Sequence, residues 1–181
     1  MTDAPGASVA VRPATSGDMG AVQRIYAYHV THGLGSFEET PPDVAEMARR
    51  YESVTGAGFP FLVAEREGTV RGYAYIAPYR PRPAYRFTVE NSVYVAAGEI
   101  ARGIGSVLME ELIRLAEARG ARLMVAVIGD SGNAASIALH TRHGFEPVGT
   151  IRGAGFKHGR WVDVVLMQRV LGEGTQTQPS R

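Results

Sequence analysis

Thr88-Val89-Glu90-Asn91-Ser92-Val93-Tyr94-Val95, followed closely by Ala101-Arg102-Gly103-Ile104-Gly105-Ser106, is the stretch on which the fold turns. The first segment is rich in β-branched residues and reads as a strand. The second opens an amphipathic helix, with Ile104, Val107, Leu108, Leu112, Leu115 and Ala116 spaced for one face. A strand, a glycine turn and a helix start present unpaired backbone N–H groups at the positive end of a helix dipole, which suits phosphate. The turn lacks the Lys-Ser/Thr ending of a nucleotide-hydrolase loop and the three-glycine spacing of a dinucleotide fold. Taken alone, these six residues suit a phosphorylated ligand and a bare tight turn equally well.

Outward from this centre the elements alternate. Toward the N-terminus, a strand at 9–12 ends at Pro13. Thr15 or Ser16 caps a helix carrying Met19, Val22, Ile25, Tyr26 and Val30, and a second helix runs near 43–51. A hairpin spans 61–77 around Arg66-Glu67-Gly68-Thr69. Pro78, Pro81 and Pro83 then separate it from a long strand predicted over 85–95. Toward the C-terminus, the helix at about 105–119 stops at Gly120, and Leu123 to Ile128 is an apolar run suited to a buried strand. A further helix ends at Gly144, and strands at 145–151 and 161–170 pair across Lys157-His158-Gly159. The order βααβββαβαββ predicts an α/β domain over 8–171 with a mixed sheet, and flexible termini at 1–7 and 172–181.

Bulk properties exclude several classes. Nineteen Lys and Arg against 18 Asp and Glu give a net charge of +1, which makes no electrostatic case for nucleic acid or an anionic membrane. There is no cysteine, hence no disulfide, thiolate metal site or cysteine nucleophile. No apolar run reaches membrane-spanning length, and the N-terminus has no signal-peptide core. A cytoplasmic protein is the expectation.

Strand alternation puts Glu90, Ser92 and Tyr94 on one face and Asn91, Val93 and Val95 on the other. Asn133 and His140, seven residues apart, share a face of the following helix. Arg80 and Arg82 flank Pro81 in an extended segment, and guanidinium pairs suit carboxylates, phosphinates or sulfoximines. Each residue also has a plainer role open to it. Asn133 suits a helix N-cap, His140 a half-buried helix histidine, Glu90 an ion-paired strand carboxylate, and the arginines a solvated loop.

These segments together resemble the GNAT superfamily of acyl-CoA-dependent N-acyltransferases, and within it the phosphinothricin and methionine sulfoximine acetyltransferases. The resemblance rests on Thr88 to Val95, Arg102-Gly103-Ile104-Gly105, Val125-Ala126-Val127-Ile128-Gly129, Asn133 to His140, and Gly155 to Val164, in that order. It implies a GNAT-like domain whose mixed, mostly antiparallel central sheet is flanked by helices. By the same resemblance Val93, Tyr94 and Val95 pair with the acetyl-pantetheine arm. Ala101, Arg102, Gly103, Ile104, Gly105 and Ser106 hold the pyrophosphate of acetyl-CoA, and Asn133 bonds the cofactor arm. Arg80, Pro81, Arg82, Glu90, Asn91 and Ser92 line the acceptor site, to which the segment Phe37-Glu38-Glu39 is also adjacent. A homodimer without bound metal is implied as well. Two departures stand out: Ile100 where the superfamily has Gln or Arg, and Glu99, a negative charge beside the expected pyrophosphate that predicts weaker binding.

The implied chemistry is acetyl transfer to the α-amine of a small amino acid or analogue, by direct attack since no cysteine can hold the acetyl group. Glu90 is the candidate base, directly or through water. His140 stands where many relatives have a tyrosine that protonates the thiolate. Two alternatives remain: a GNAT acting on a protein lysine, N-terminus or polyamine, and a non-catalytic CoA-binding module.

Overall fold

The computed structural model describes residues 8–179, so the expectation of a flexible segment at 1–7 lies outside the described residues. Seven strands and four helices follow in chain order. They are β1 (Ala10–Pro13), α1 (Met19–His32), α2 (Val44–Gly56), β2 (Phe61–Arg66), β3 (Thr69–Pro78), β4 (Thr88–Val95), α3 (Ile104–Ala118), β5 (Leu123–Gly129), α4 (Ala134–Arg142), β6 (Glu146–Lys157) and β7 (Arg160–Val170). They build one sheet in the order β1-β2-β3-β4-β5-β7-β6. β4 and β5 run parallel and the other neighbouring pairs antiparallel. This is the mixed, mostly antiparallel sheet that the sequence predicts.

Side chains cap the first helical segments. Asp43 accepts from the Glu46 N–H ahead of α2, and Thr15 caps a short 3-10 turn, Ser16–Asp18, that leads into α1. The Asp18 carboxylate takes both ends of the Arg12 guanidinium at 2.8 Å, tying that turn to β1.

The sheet separates two apolar layers. α3 buries Ile104, Leu108, Met109, Leu112 and Ala116 against one face, together with Ile76, Val89 and Met124. α1 and α2 cover the other with Met19, Val22, Tyr26, Val30 and Met47 over Phe61, Val63 and Tyr73. Each fully buried large side chain contributes about 1.5–3 kcal/mol, so both layers hold the sheet firmly.

Two boundaries differ from expectation. The strand predicted over 85–95 begins at Thr88, because Pro83 opens a 3-10 turn, Pro83–Tyr85, ahead of it. Proline's fixed φ and missing N–H suit that turn rather than a ladder. β6 does not stop at Ile151 but runs to Lys157, with register shifts at Pro147/Gly149 and Ile151/Gly155. Those irregularities break the alternation a sequence reading depends on. Residues 172–179 follow β7 as turns, with the Gly174 N–H donating to the Leu171 carbonyl.

Candidate active site

β4 and β5 are neighbours only at their beginnings. Their register covers Thr88↔Leu123 to Glu90↔Val125 and ends there, although β4 continues to Val95 and β5 to Gly129. Past Glu90 each strand stays bonded on its outer side, β4 to β3 and β5 to β7, so the two diverge. The divergence opens a cleft of about 1060 Å³ through the middle of the sheet.

The wall formed by β4 has unspent backbone groups. Ala96 N–H donates to Arg71 O and Tyr79 N–H to Thr88 O, so the even-numbered residues of β4 turn their backbone groups toward β3. Ladder alternation then directs the backbone groups of Val93 and Val95 toward the cleft, past the last pairing between β4 and β5 at Glu90↔Val125. Tyr94 lines the cleft through its side chain, while its backbone pairs with Tyr73. At Val95 the carbonyl accepts from His29 Nε2 at 2.8 Å. His29 also packs against Tyr94, with ring centroids 5.5 Å apart. That contact, absent from the sequence reading, pins α1 to the end of β4.

The cleft ends at the glycine turn. Gly103 has φ +84°, and a side chain there would point into open space. Gly105 would place a Cβ 3.2 Å from Leu139 and 3.7 Å from Val95, so the turn sits close to both α4 and β4. The N–H groups of Ile104 and Gly105 donate to no acceptor among the described residues. Ala101, Gly103, Gly105 and Ser106 line the cleft; the Ile104 side chain is buried in the core, and Arg102 is not among the lining residues.

Glu99 does not act as the isolated negative charge that was expected beside this turn. Arg66 lies 2.9 Å from its carboxylate, Arg102 3.6 Å and Arg71 3.9 Å. Three cations around one anion leave the local charge at this rim positive.

On the α1/α2 side of β4, Glu90 and Ser92 face the cleft beside Tyr75 and Tyr26. Glu90 makes no ion pair or side-chain hydrogen bond among the described residues. Burial pushes its carboxyl above the ordinary range, and the charge of Arg80 only partly opposes this. Arg80, Pro81 and Arg82 are exposed and do not line the cleft; Arg80 stacks on Tyr79 at 4.7 Å, near the Glu90 end.

On the α3/α4 side, Asn91 is separated from Glu90 by the strand itself. It is buried, its Nδ2 donates to Val125 O at 3.3 Å, and its Oδ1 lies 3.0 Å from His140 Nε2. His140 is buried too, and burial pushes its pKa down against the pull of the Ser136 carbonyl. Asn133 caps α4, accepting from Ser136 N–H at 3.2 Å, while its Nδ2 donates to Gly129 O at 3.4 Å. The cap and the cleft-lining position coexist.

The α1–α2 loop adds a further wall to the cleft. Ser36, Phe37 and Glu38 line the cleft. Buried Lys157 donates to Ser36 O at 2.6 Å, Tyr26 contacts Ser36 Oγ at 2.9 Å, and Tyr26 donates to Glu38 at 2.8 Å. Lys157 comes from the hairpin turn near the chain's end, so two distant segments are joined here. Of the residues the sequence proposes, the cleft gathers Glu90, Asn91, Ser92, Val93, Tyr94, Val95, Asn133, His140 and most of the glycine turn. His29, Tyr26 and Tyr75 are added by the fold. They sit on apolar-patterned elements, where nothing local marks them as cleft residues.

A family model described as an acetyltransferase (GNAT) domain matches residues 11–166. The phosphinothricin N-acetyltransferase of Alcaligenes faecalis is 50% identical over 169 residues, covering 93% of this chain and 86% of that protein. The L-methionine sulfoximine/L-methionine sulfone acetyltransferase of Pseudomonas paraeruginosa is 41% identical, covering 95% and 99%. Among solved structures, a GNAT phosphinothricin acetyltransferase from Sinorhizobium meliloti in complex with AcCoA superposes with a TM-score of 0.93 at 46% identity, covering 96% and 94%. With a family model matched over most of its length and relatives of this identity and coverage, the chain, whose sheet is split beside a glycine-turned helix start, belongs to the GNAT family of acetyltransferases.

Proposed function

We propose that this protein transfers the acetyl group of acetyl-CoA to the α-amine of a small amino acid or analogue, of the kind its relatives are named for: phosphinothricin and methionine sulfoximine. The observation that carries this reading is Glu90, a half-buried carboxylate without an ion-pair or hydrogen-bond partner among the described residues, beside the open edge of β4.

The chain's own groups suit the donor. The free N–H groups of Ile104 and Gly105, the hydroxyl of Ser106 and the positive rim around Glu99 would hold the pyrophosphate. The outward backbone groups of Val93 and Val95 would pair with the amide-bearing arm as an added strand does. Bound there, acetyl-CoA supplies an acetyl group activated as a thioester.

Glu90 takes the proton that the acceptor ammonium must lose before it can attack. Its upward pKa shift brings it nearer the working pH of a base acting on an amine. A cleft-facing N–H of β4 polarises the acetyl carbonyl as charge gathers on its oxygen. From the opposite side of the strand His140 offers the Nε2 proton to the departing sulfur. Base and acid thus lie on opposite faces of β4, with the gap between β4 and β5 as their meeting place. With no cysteine in the chain, transfer is direct. The positive charge of Arg80 near Glu90 disfavours a polyamine acceptor.

A homodimer is part of the same reading. The edge strand β6 and the adjoining start of β7 expose Val148, Ile151, Phe156 and Trp161, the last 70% exposed. An apolar edge of this kind invites a second copy. No helix among the described residues is long and apolar enough to cross a membrane. Cytoplasmic placement, where acetyl-CoA is available, completes the proposal.

The test is a panel of amines incubated with acetyl-CoA while free thiol is followed: phosphinothricin, methionine sulfoximine, methionine sulfone, alanine, a lysine peptide and spermidine. Release with the amino acids and analogues is expected. Release only with peptide or spermidine overturns the acceptor assignment, and release with none overturns the enzyme.

A further inference from the structure

Ser106 ends the glycine turn in the first turn of α3, and its N–H already donates to the Gly103 carbonyl at 3.0 Å. Its hydroxyl is therefore what it has left to offer a ligand in the cleft it lines. Beside that hydroxyl sits His143, the C-terminal cap of α4, whose Nε2 lies 2.7 Å from Ser106 Oγ. His143 is half-buried and is not among the lining residues, whereas its neighbour Arg142 is. The contact joins the start of one helix to the end of the next, 37 residues apart in the chain.

Which partner gives the proton decides what the hydroxyl does. A hydroxyl has one proton, and a neutral imidazole has one N–H and one bare nitrogen. With Nε2 bare, Ser106 donates to it and is left with lone pairs for the cleft, which repel a phosphate. With a proton on Nε2, the ring donates to Oγ and the Ser106 proton is free for an anionic oxygen. Ionised phosphate oxygens only accept, so a pyrophosphate at this turn selects the second arrangement. His143 Nδ1 makes no hydrogen bond among the described residues, so no other contact sets the tautomer.

The doubly protonated ring has the same Nε2–H and adds a positive charge beside Ser106. Burial holds the His143 pKa below the ordinary histidine value, and the groups that face the ring pull both ways. Glu110 on α3 favours the cation. Arg169 on β7, whose guanidinium donates to the His143 carbonyl, and Arg142 on α4 disfavour it. His140, one turn earlier on α4, is coupled to it by like-charge repulsion. A bound pyrophosphate adds negative charge and moves this balance toward the cation.

We propose that His143 is a positioning residue of the cofactor site: it donates from Nε2 to Ser106, so turns the Ser106 proton to the pyrophosphate, and it takes up a proton as acetyl-CoA binds. This rests on the reading that the glycine turn holds the pyrophosphate. Because binding and protonation favour each other by the same factor, the gain in affinity is full below the pKa of the free ring. It is lost as pH rises through the pKa of the ring in the complex.

Calorimetry of acetyl-CoA binding tests both parts. At about pH 8 the ring is neutral, and only its N–H is at stake. There His143→Leu should bind about fivefold more weakly. His143→Gln, which keeps an N–H for Ser106, should recover most of that loss. Adding His143→Leu to Ser106→Ala should weaken binding no further, since the histidine acts through the serine. At about pH 6.5, titrations in PIPES and in Bis-Tris, whose heats of ionisation differ, count the protons taken up. The wild type should take up a fraction of a proton that His143→Gln does not; groups on acetyl-CoA that titrate in this range contribute equally to both. A His143→Leu protein that melts lower but binds as the wild type does would make the contact a staple between α3 and α4, and overturns the proposal. So do losses that add in the double variant, or equal proton uptake in wild type and His143→Gln. If Gly103→Glu still weakens binding in those cases, the turn keeps its assignment to pyrophosphate; if it does not, that reading falls as well.

Discussion

His140 Nε2 lies 3.0 Å from Asn91 Oδ1, and the opposite ring nitrogen lies 2.8 Å from the Ser136 carbonyl. Asn91 is held in that orientation because its Nδ2 donates to Val125 O. Both ring nitrogens therefore face oxygens that accept, an arrangement that favours the doubly protonated ring. Burial works against this by disfavouring the charged ring. The balance between these two influences sets when His140 can act as an acid.

Asn91→Leu removes the acceptor and leaves burial to act with less opposition. Turnover should fall about tenfold, within the range of a weakened general acid. An acid works only while protonated, so activity is lost as pH rises through the pKa of His140. The alkaline limb of the kcat profile should therefore move to lower pH in Asn91→Leu, and to higher pH in Asn91→Asp, which adds a negative charge. Profiles that keep their shape in both variants would mean that His140 is a packing residue.

Glu90→Gln preserves size and removes the base. Turnover should drop about 10²–10⁴-fold, with acetyl-CoA binding retained, since the groups proposed to hold it lie further along β4 and in the glycine turn. In the wild type, activity should be low where Glu90 is protonated and rise as pH climbs through its upward-shifted pKa. The deficit of the variant should shrink toward the pKa of the acceptor amine, where free amine needs no base. Near-normal turnover at neutral pH in folded Glu90→Gln would assign the base elsewhere.

Gly103→Glu puts bulk and negative charge at a position whose side-chain direction is open and whose φ is +84°. Calorimetry should show acetyl-CoA affinity at least tenfold weaker, about 1.4 kcal/mol. The melting temperature checks the backbone cost of a non-glycine residue in the left-handed region. A folded variant with wild-type affinity would remove the turn from the binding site.

Oligomeric state is read by light scattering across a dilution series. A mass twice that of the 19.4 kDa chain is expected, and Trp161→Lys should shift it toward one chain. A wild-type monomer at all working concentrations would leave the apolar edge of β6 and β7 without this explanation.

What was legible from residues alone follows local rules. The period of Ile104, Val107, Leu108 and Leu112 marks a helix wherever it packs, and the two-residue alternation of β4 separates Glu90 from Asn91 without knowledge of any neighbour. The glycine turn, the caps at Thr15 and Asn133, and the order of elements are likewise consequences of dihedral preference and short-range hydrogen bonding. The five quoted segments carried the family resemblance and, through it, the expected roles of Glu90 and His140. Tertiary structure decided what depends on partners distant in the chain. The charge that Glu99 presents at the turn depends on Arg66 and Arg71, some thirty residues away, which the sequence does not show to be its neighbours. Asn91 shares its strand with Glu90, yet its amide serves His140, 49 residues further on. Nothing local marks His29, Tyr73 and Tyr75, because an apolar pattern records burial but not whether the buried space is filled. Only the divergence of β4 from β5, and the packing of α2 over β2 and β3, turned those positions into the walls of a cleft and a cavity.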